Sequence, residues 1–355
     1  MKKIHYLFIA LFFAACQAEP EIIEEVSPLV RTRASELSFA NTENVNLTEL
    51  GIVRPTKIVR KDSLYLILTP YGKYRFAVYN HFTGAIRRFV SAGSGEGEGI
   101  SFLNLHLNGS VVSSLDFALG RLVEIDLSQC FADNYQPIIT DLTAGNKTPL
   151  GAIRINDRII STGIYTAGRY CTTNPEDGAD NYSVDYPECA DAIPNDTLKS
   201  IFYASNCLAS HPSGHRLACA NMQYGCLDLC DINGDCLHRF NEIHLNRPGV
   251  VFSKRPRGGR MWQPVAYTRN NLFGFCDLTV SEDYIYALYS GRTYKTYRGD
   301  VDKGRTILVF DWNGTHVRTY HLSNSCSSIT YDKESDAIYA LSHEQGQSEI
   351  ITLNL

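Results

Sequence analysis

Several residue patterns in this chain have spacings associated with chemistry. Asp231-Ile232-Asn233-Gly234-Asp235, with Glu242 in the twelfth position, mimics the oxygen-ligand spacing of a calcium-binding EF-hand loop. Cys236 stands where that loop needs Gly, and the segment aligns with Asp311-Trp312-Asn313-Gly314, so a tight hairpin turn is expected instead. His211 and His215 have the i, i+4 spacing of paired metal ligands, but Pro212 and Gly214 forbid the helix that spacing requires. The glycine-rich run from Gly93 to Gly99 carries Glu96 and Glu98, which repel phosphate, and reads as a connection between structural units. There is no G-x-S-x-G elbow, and no Ser or Cys has a readable His partner. The motifs therefore assign no catalytic residue, no metal and no cofactor.

The 11 cysteines need separate treatment. With a turn at Asn233-Gly234, Cys230 and Cys236 fall on opposite faces of a hairpin and cannot bridge. No C-x-x-C pair occurs between Cys207 and Cys236, which argues against a structural zinc site. Cys171 and Cys189 flank an acidic stretch and make the most plausible disulfide. The rest are expected to be buried as small apolar groups.

Binding chemistry is more readable than catalysis. Arg257, Arg260 and Trp262 lie in a long segment at 241–271, and Arg292, Tyr294 and Tyr297 in another at 289–305. Guanidinium and aromatic groups in loops suit an anionic or sugar-like ligand. A third segment, 166–200, has Glu176, Asp177, Asp180, Asp185, Glu188, Asp191 and Asp196, with no basic residue from 174 to 196.

These loops need a scaffold, and the rest of the chain supplies a repeat. Hairpin-like strand pairs recur at Pro55–Thr69, Leu103–Leu115, Gly151–Tyr165, Ala204–Ala220, Phe273–Tyr289 and Ser327–His343, about 50 residues apart, the spacing of four-stranded propeller blades. Outer pairs such as Phe76–Phe89, Cys226–Phe240 and Ile307–Tyr320 follow, with Gly84, Gly234 and Gly314 at their turns. No sustained 3.6-residue period appears, so helices should be minor. The last unit offers three strands, and Asn44–Leu50 is left over at the start. An all-β, six-bladed β-propeller closed by this N-terminal strand uses both and removes the sheet edges. In such a ring the four long links, 90–101, 166–200, 241–271 and 289–305, emerge on one rim, which is the expected binding face.

The segments Tyr79-Asn80 to Gly99, Cys276 to Gly291 and Val309 to Gly314 resemble those of TolB-like six-bladed propeller lipoproteins, and the likeness extends over about residues 40–355. The resemblance implies the propeller fold and no particular activity.

The N-terminus reads as an address. Met1-Lys2-Lys3 precedes an apolar run from Ile4 to Ala15 that is too short to span a bilayer, ending in Ala14-Ala15-Cys16, which resembles a lipoprotein processing site. The expected organisation is a signal peptide at 1–15, a lipidated Cys16 and flexible linker at 16–40, and the propeller at 41–355. Acylated Cys16 would anchor the protein in outer-membrane lipid, and acidic Glu19, Glu21, Glu24 and Glu25 suggest the cell surface. Asp62-Ser63-Leu64 and Asp196-Thr197-Leu198 resemble short O-glycosylation acceptors, the second favoured because a loop is expected there.

A net charge of -5 and the lack of a long basic run exclude a general nucleic-acid binder. Three classes remain. A non-catalytic binding module for a carbohydrate or an envelope-protein partner is favoured. A glycan-active lyase or hydrolase would need carboxylate, His or Tyr groups converging at the channel mouth. A structural envelope partner would need an exposed apolar patch.

Overall fold

In a computed structural model, residues 35–36, 44–144, 147–187, 193, 195–252, 255–257, 260–262, 265–344 and 346–355 are described; for 35–36, 252, 255–257, 260–262 and 265 the description is of the backbone alone. The described residues form six antiparallel blades around one axis. The innermost strands are Lys57–Lys61, His106–Asn108, Pro149–Ile155, Asn206–Ser210, Phe275–Val280 and the second half of His316–Asp332. The inner strands of a blade are covered on both faces by its neighbours, so they read as continuous apolar runs, as in Leu64–Leu68. Outer strands meet water. Ile86–Ala92 accordingly carries Arg87, Arg88 and Ser91 around the buried Phe89 and Val90.

Ring closure follows the expected scheme. Val45–Asn46 pairs antiparallel with Gln347–Asn354, in register Val45 to Ile350 and Asn46 to Glu349, and so supplies the sixth blade's outer strand. Leu47, fully buried, packs with Ile58, Tyr65, Leu341 and Ile350 across the seam between first and last blades. The fifth and sixth blades share a 17-residue strand, His316–Asp332, which is outermost in one and innermost in the other, with a register break between Cys326 and Ser328. Within the expected linker, Ser35–Glu36 pairs parallel with Tyr320–His321. Residues 1–34, including Cys16, lie outside the described residues.

The third blade corrects the sequence reading. Tyr170–Thr173 and Asp180–Ser183 are its two outer strands, so this part of 166–200 is not a loop on the long-link rim. The turn between them carries Glu176 and Asp177 to the opposite end, and Asp180 is paired with Lys147. Helix Asp196–Tyr203 follows, capped by the Asn195 side chain accepting from Leu198 N. Thr197 therefore stands in the first turn of a helix, not in a loop. These strands escaped notice because Cys171-Thr172-Thr173 and Asn181-Tyr182-Ser183 carry no apolar alternation.

Cys130, Cys171, Cys207, Cys219, Cys230, Cys236, Cys276 and Cys326 are free thiols among the described residues. Cys171 is one of them, buried on the third strand of its blade; Cys189, its expected partner, lies outside the described residues. The Cys236 hairpin turns at Gly234-Asp235, one residue later than expected, with Asn233 opposite Cys236. This preserves parity, so Cys230 and Cys236 still face opposite sides.

The axis is filled. Lys57 donates to the carbonyl oxygens of Cys276 and, at 3.3 Å, of Ser327, and lies 3.5 Å from Asp277. Asn104 donates to Asn206 O at 2.8 Å, and His106 Nδ1 contacts Leu208 O at 2.6 Å. Burial would depress the Lys57 ammonium, but Asp277 and the neighbouring thiols outweigh it and hold its pKa above the usual value. Burial pushes the His106 imidazole down to about 4, so it is neutral and donates from Nδ1.

Candidate functional site

Two ends of the ring can present a site. The links between second and third strands, and between blades, form the insert end; the other links form the turn end. At the insert end the 241–271 segment builds two small ribbons, Val250–Phe252 with Val265–Tyr267, and Arg255–Arg257 with Arg260–Trp262. Arg257 pairs with Arg260 and Arg255 with Trp262 along the backbone. The side chains of Arg257, Arg260 and Trp262 lie outside the described residues.

Arg292 is engaged within its own loop. Its Nη1 donates to Asp300 O at 2.9 Å, its Nη2 to Ser325 Oγ at 2.6 Å, and its guanidinium lies 4.7 Å from the centre of the Tyr297 ring. Lys303 pairs with Asp300 at 2.8 Å, and Arg305 shares Ser325 Oγ. The basic charge of 292–305 thus holds the loop together, while Tyr294 and Tyr297 stay exposed. A small cavity of about 310 Å³ nearby contains Ser327 and His343, whose Oγ and Nε2 are 2.8 Å apart. Ser327 Oγ also donates to Thr56 O at 3.0 Å, which directs its proton away from the imidazole. That is a structural link and not a nucleophile with its base.

Beneath the inserts, a charged network is buried between the third and fourth blades. Arg169 Nε lies 2.7 Å from Asp228 Oδ2, with both side chains fully enclosed, and Tyr170 OH donates to the same carboxylate at 2.8 Å. Tyr203 lies under the guanidinium, 4.9 Å to its centroid, and Nη1 of Arg169 has no hydrogen-bond partner among the described residues. Burial opposes the charge on Arg169, but Asp228 overrides it and raises the pKa well above the usual value. The network continues outward through Arg239, 3.0 Å from Glu242, to His244 in contact with Glu242, and to Cys226, whose thiol donates to Asp228 at 3.6 Å. Burial would raise the Glu242 carboxyl, but His244 and Arg239 hold it below its usual range.

The turn end carries the two larger cavities among those described, of about 710 and 880 Å³, both bordered by Asn108. The first spans the mouth of the ring and runs between the fifth and sixth blades. Its wall is tyrosine-rich: Tyr286 stacks on Tyr331, 5.5 Å and 16° apart, next to the partly exposed Tyr284, and Arg318 donates to Tyr320 OH at 2.7 Å. Its charges are mixed, with Arg60, Lys333 and Arg318 among Glu282, Asp332 and Asp336. Lys333 pairs with Glu282 at 2.6 Å, and Tyr331 donates to Asp336 at 2.9 Å. The second cavity is closed by the 127–137 link of the second blade, a long connection at the end where only tight turns were expected.

The family description TolB-like 6-blade propeller-like matches residues 36–334. This chain belongs to the TolB-like six-bladed propeller family. No curated protein sequence matches it. Among solved structures, a DUF4221-family protein from Bacteroides vulgatus is similar at a TM-score of 0.56 and 8% identity, over 91% of this chain and 99% of the other. The WD40 repeats of RRP9 give 0.47 at 10% identity over 93% and 100%. The Cps50 (Swd1) propeller domain of Myceliophteria thermophila gives 0.47 at 10% over 90% and 100%. At 8% identity the likeness to the DUF4221-family protein bears on fold alone.

Within this TolB-like propeller, sequence reasoning found the inserts but missed the residues under them. Cys226, Asp228, Glu242 and His244 sit on facing strands, Cys226 opposite His244 and Asp228 opposite Glu242. The turn alone would not have paired them, because a bulge between Leu229 and Cys230 shifts the register by one residue and brings Cys226 opposite His244. Arg169 gave no signal, because its partner lies on another blade.

Proposed function

We propose that this chain is a lipid-anchored, non-catalytic binding module of the cell envelope that holds a carbohydrate in the tyrosine-lined cavity at the turn end of its ring. The cavity of about 710 Å³ carries this reading, because it combines flat aromatic walls with paired charges. The C–H faces of a sugar pack on rings such as Tyr284, and its hydroxyls find donors and acceptors in Arg60, Arg318 and Asp336. This moves the expected ligand face from the insert end, where Arg292 is already engaged. Against a lyase or hydrolase stand the filled axis and the pairing of Glu282 with Lys333 and of Asp336 with Tyr331.

A screen of acidic and neutral glycans against the parent protein and Tyr284→Ala/Arg318→Ala tests the site. Loss of roughly tenfold or more in the double variant, with an unchanged melt, is expected, since one charged hydrogen bond alone is typically worth about 1.5 to 3 kcal/mol. Equal affinity in both, or capture of an envelope protein with no glycan bound, overturns it. The anchor is tested separately: Cys16→Ala should abolish fatty-acid labelling and leave the propeller folded.

A further inference from the structure

Cys226 opens the third strand of the fourth blade and His244 closes the fourth strand, so both stand at the insert end. The register sets Cys226 opposite His244 and Asp228 opposite Glu242, which places all four on one face of the hairpin. One donor atom each from Cys226, Glu242 and His244 lies within 4.8 Å of the other two. Zinc is held at about 2.3 Å by thiolate and at about 2.0–2.2 Å by imidazole and carboxylate, so small rotamer adjustments bring this set to tetrahedral separation. We propose that Cys226, Glu242 and His244 bind one divalent cation of the zinc class.

The donor set selects the ion. One sulfur, one nitrogen and one oxygen suit a borderline-soft cation and exclude calcium or magnesium, which require oxygen ligands. The surroundings suit a built site. Arg239 holds Glu242 at 3.0 Å, and in the metal-free protein Asp228, fixed by Arg169 at 2.7 Å and Tyr170 at 2.8 Å, accepts from the Cys226 thiol and so aims the sulfur before its proton leaves. These contacts orient the ligands as outer partners do in metal centres. Access is open, because the His244 side chain is 30% exposed while Cys226 is enclosed. On binding, the Cys226 thiol loses its proton to solvent and the thiolate forms the metal bond, so affinity rises with pH. The site lies at the opposite end of the ring from the tyrosine cavity and stands or falls independently of it.

Cobalt(II) titration of the purified protein reads the site directly, through the thiolate-to-cobalt charge-transfer band and the visible bands of a tetrahedral ion. One equivalent should bind with both signatures. Cys226→Ser should lose the charge-transfer band, and His244→Gln and Glu242→Gln should weaken binding by at least about tenfold. Cys236→Ser, which removes the half-buried thiol outside the cluster, should change neither. His244→Gln, at a partly exposed position, covers the case in which Cys226→Ser does not fold. Absence of the band, its loss in Cys236→Ser, or full affinity in His244→Gln overturns the proposal.

Discussion

Arg169 and Asp228, 59 positions apart in the chain, meet at 2.7 Å with neither side chain exposed. One comes from the third blade and the other from the fourth, so the pair fastens neighbouring blades beneath the inserts. Tyr170 OH satisfies a further site on the carboxylate, and Tyr203 covers the guanidinium. Two buried charges of this kind are tolerated only together, because either one alone keeps its desolvation penalty and loses its partner.

Asp228→Asn should therefore cost about 3 to 5 kcal/mol, the range for breaking a buried pair from one side. Arg169→Met/Asp228→Leu should cost less than the single change, since no orphan charge remains. Urea melts of the three proteins check this. A single variant as stable as the parent would mean that water reaches the pair.

Closure gives a second expectation. Leu47 is fully enclosed at the seam where Val45–Asn46 completes the last blade. Leu47→Ala should cost about 2 to 5 kcal/mol, the range for a buried leucine. Deleting 44–50 should destabilise further by exposing the edge of Gln347–Asn354. Thermal melts and the oligomeric state of the deletion read both, and an unchanged melt would place closure elsewhere.

The ring was legible because its signal is local and repeated. Each inner hairpin buries both faces, so its apolar runs stand out at a constant spacing, and the unpaired Asn44–Leu50 segment revealed the closure. The third blade's outer strands were not legible, because Cys171-Thr172-Thr173 and Asn181-Tyr182-Ser183 are too polar to show alternation. The binding rim was read from charge, yet charge does not say which groups are already paired. Arg292 looked available in sequence and is held by Asp300 and Ser325. The turn-end cavity was invisible for a related reason, since Tyr286 and Tyr331 come together only when two blades pack.

Arg292 accordingly yields a prediction opposite to its expected role. Arg292→Ala removes two hydrogen bonds and a cation–π contact, and should cost about 1 to 2 kcal/mol. Glycan affinity at the turn end should stay unchanged. A melt equal to that of the parent, with binding lost, would return the ligand site to the insert rim.

Acid sensitivity follows from His106. Burial lowers its pKa from 6.5 to about 4, so the folded protein holds it neutral against the Leu208 carbonyl. Above about pH 6.5 neither the folded nor the unfolded chain protonates this group, and it does not affect stability. As pH falls from there toward 4, the unfolded chain takes up a proton that the folded chain refuses, so stability declines across that window. A shift of this size corresponds to roughly 3 kcal/mol. His343, also lowered to about 4 by burial and by Lys303, adds a loss of the same sign in the same range. Urea melts across this pH range should show the decline, and His106→Gln should be less stable at neutral pH yet flatter in its pH dependence. A parent protein whose stability is constant across the window would show that the imidazole takes up its proton within the folded ring.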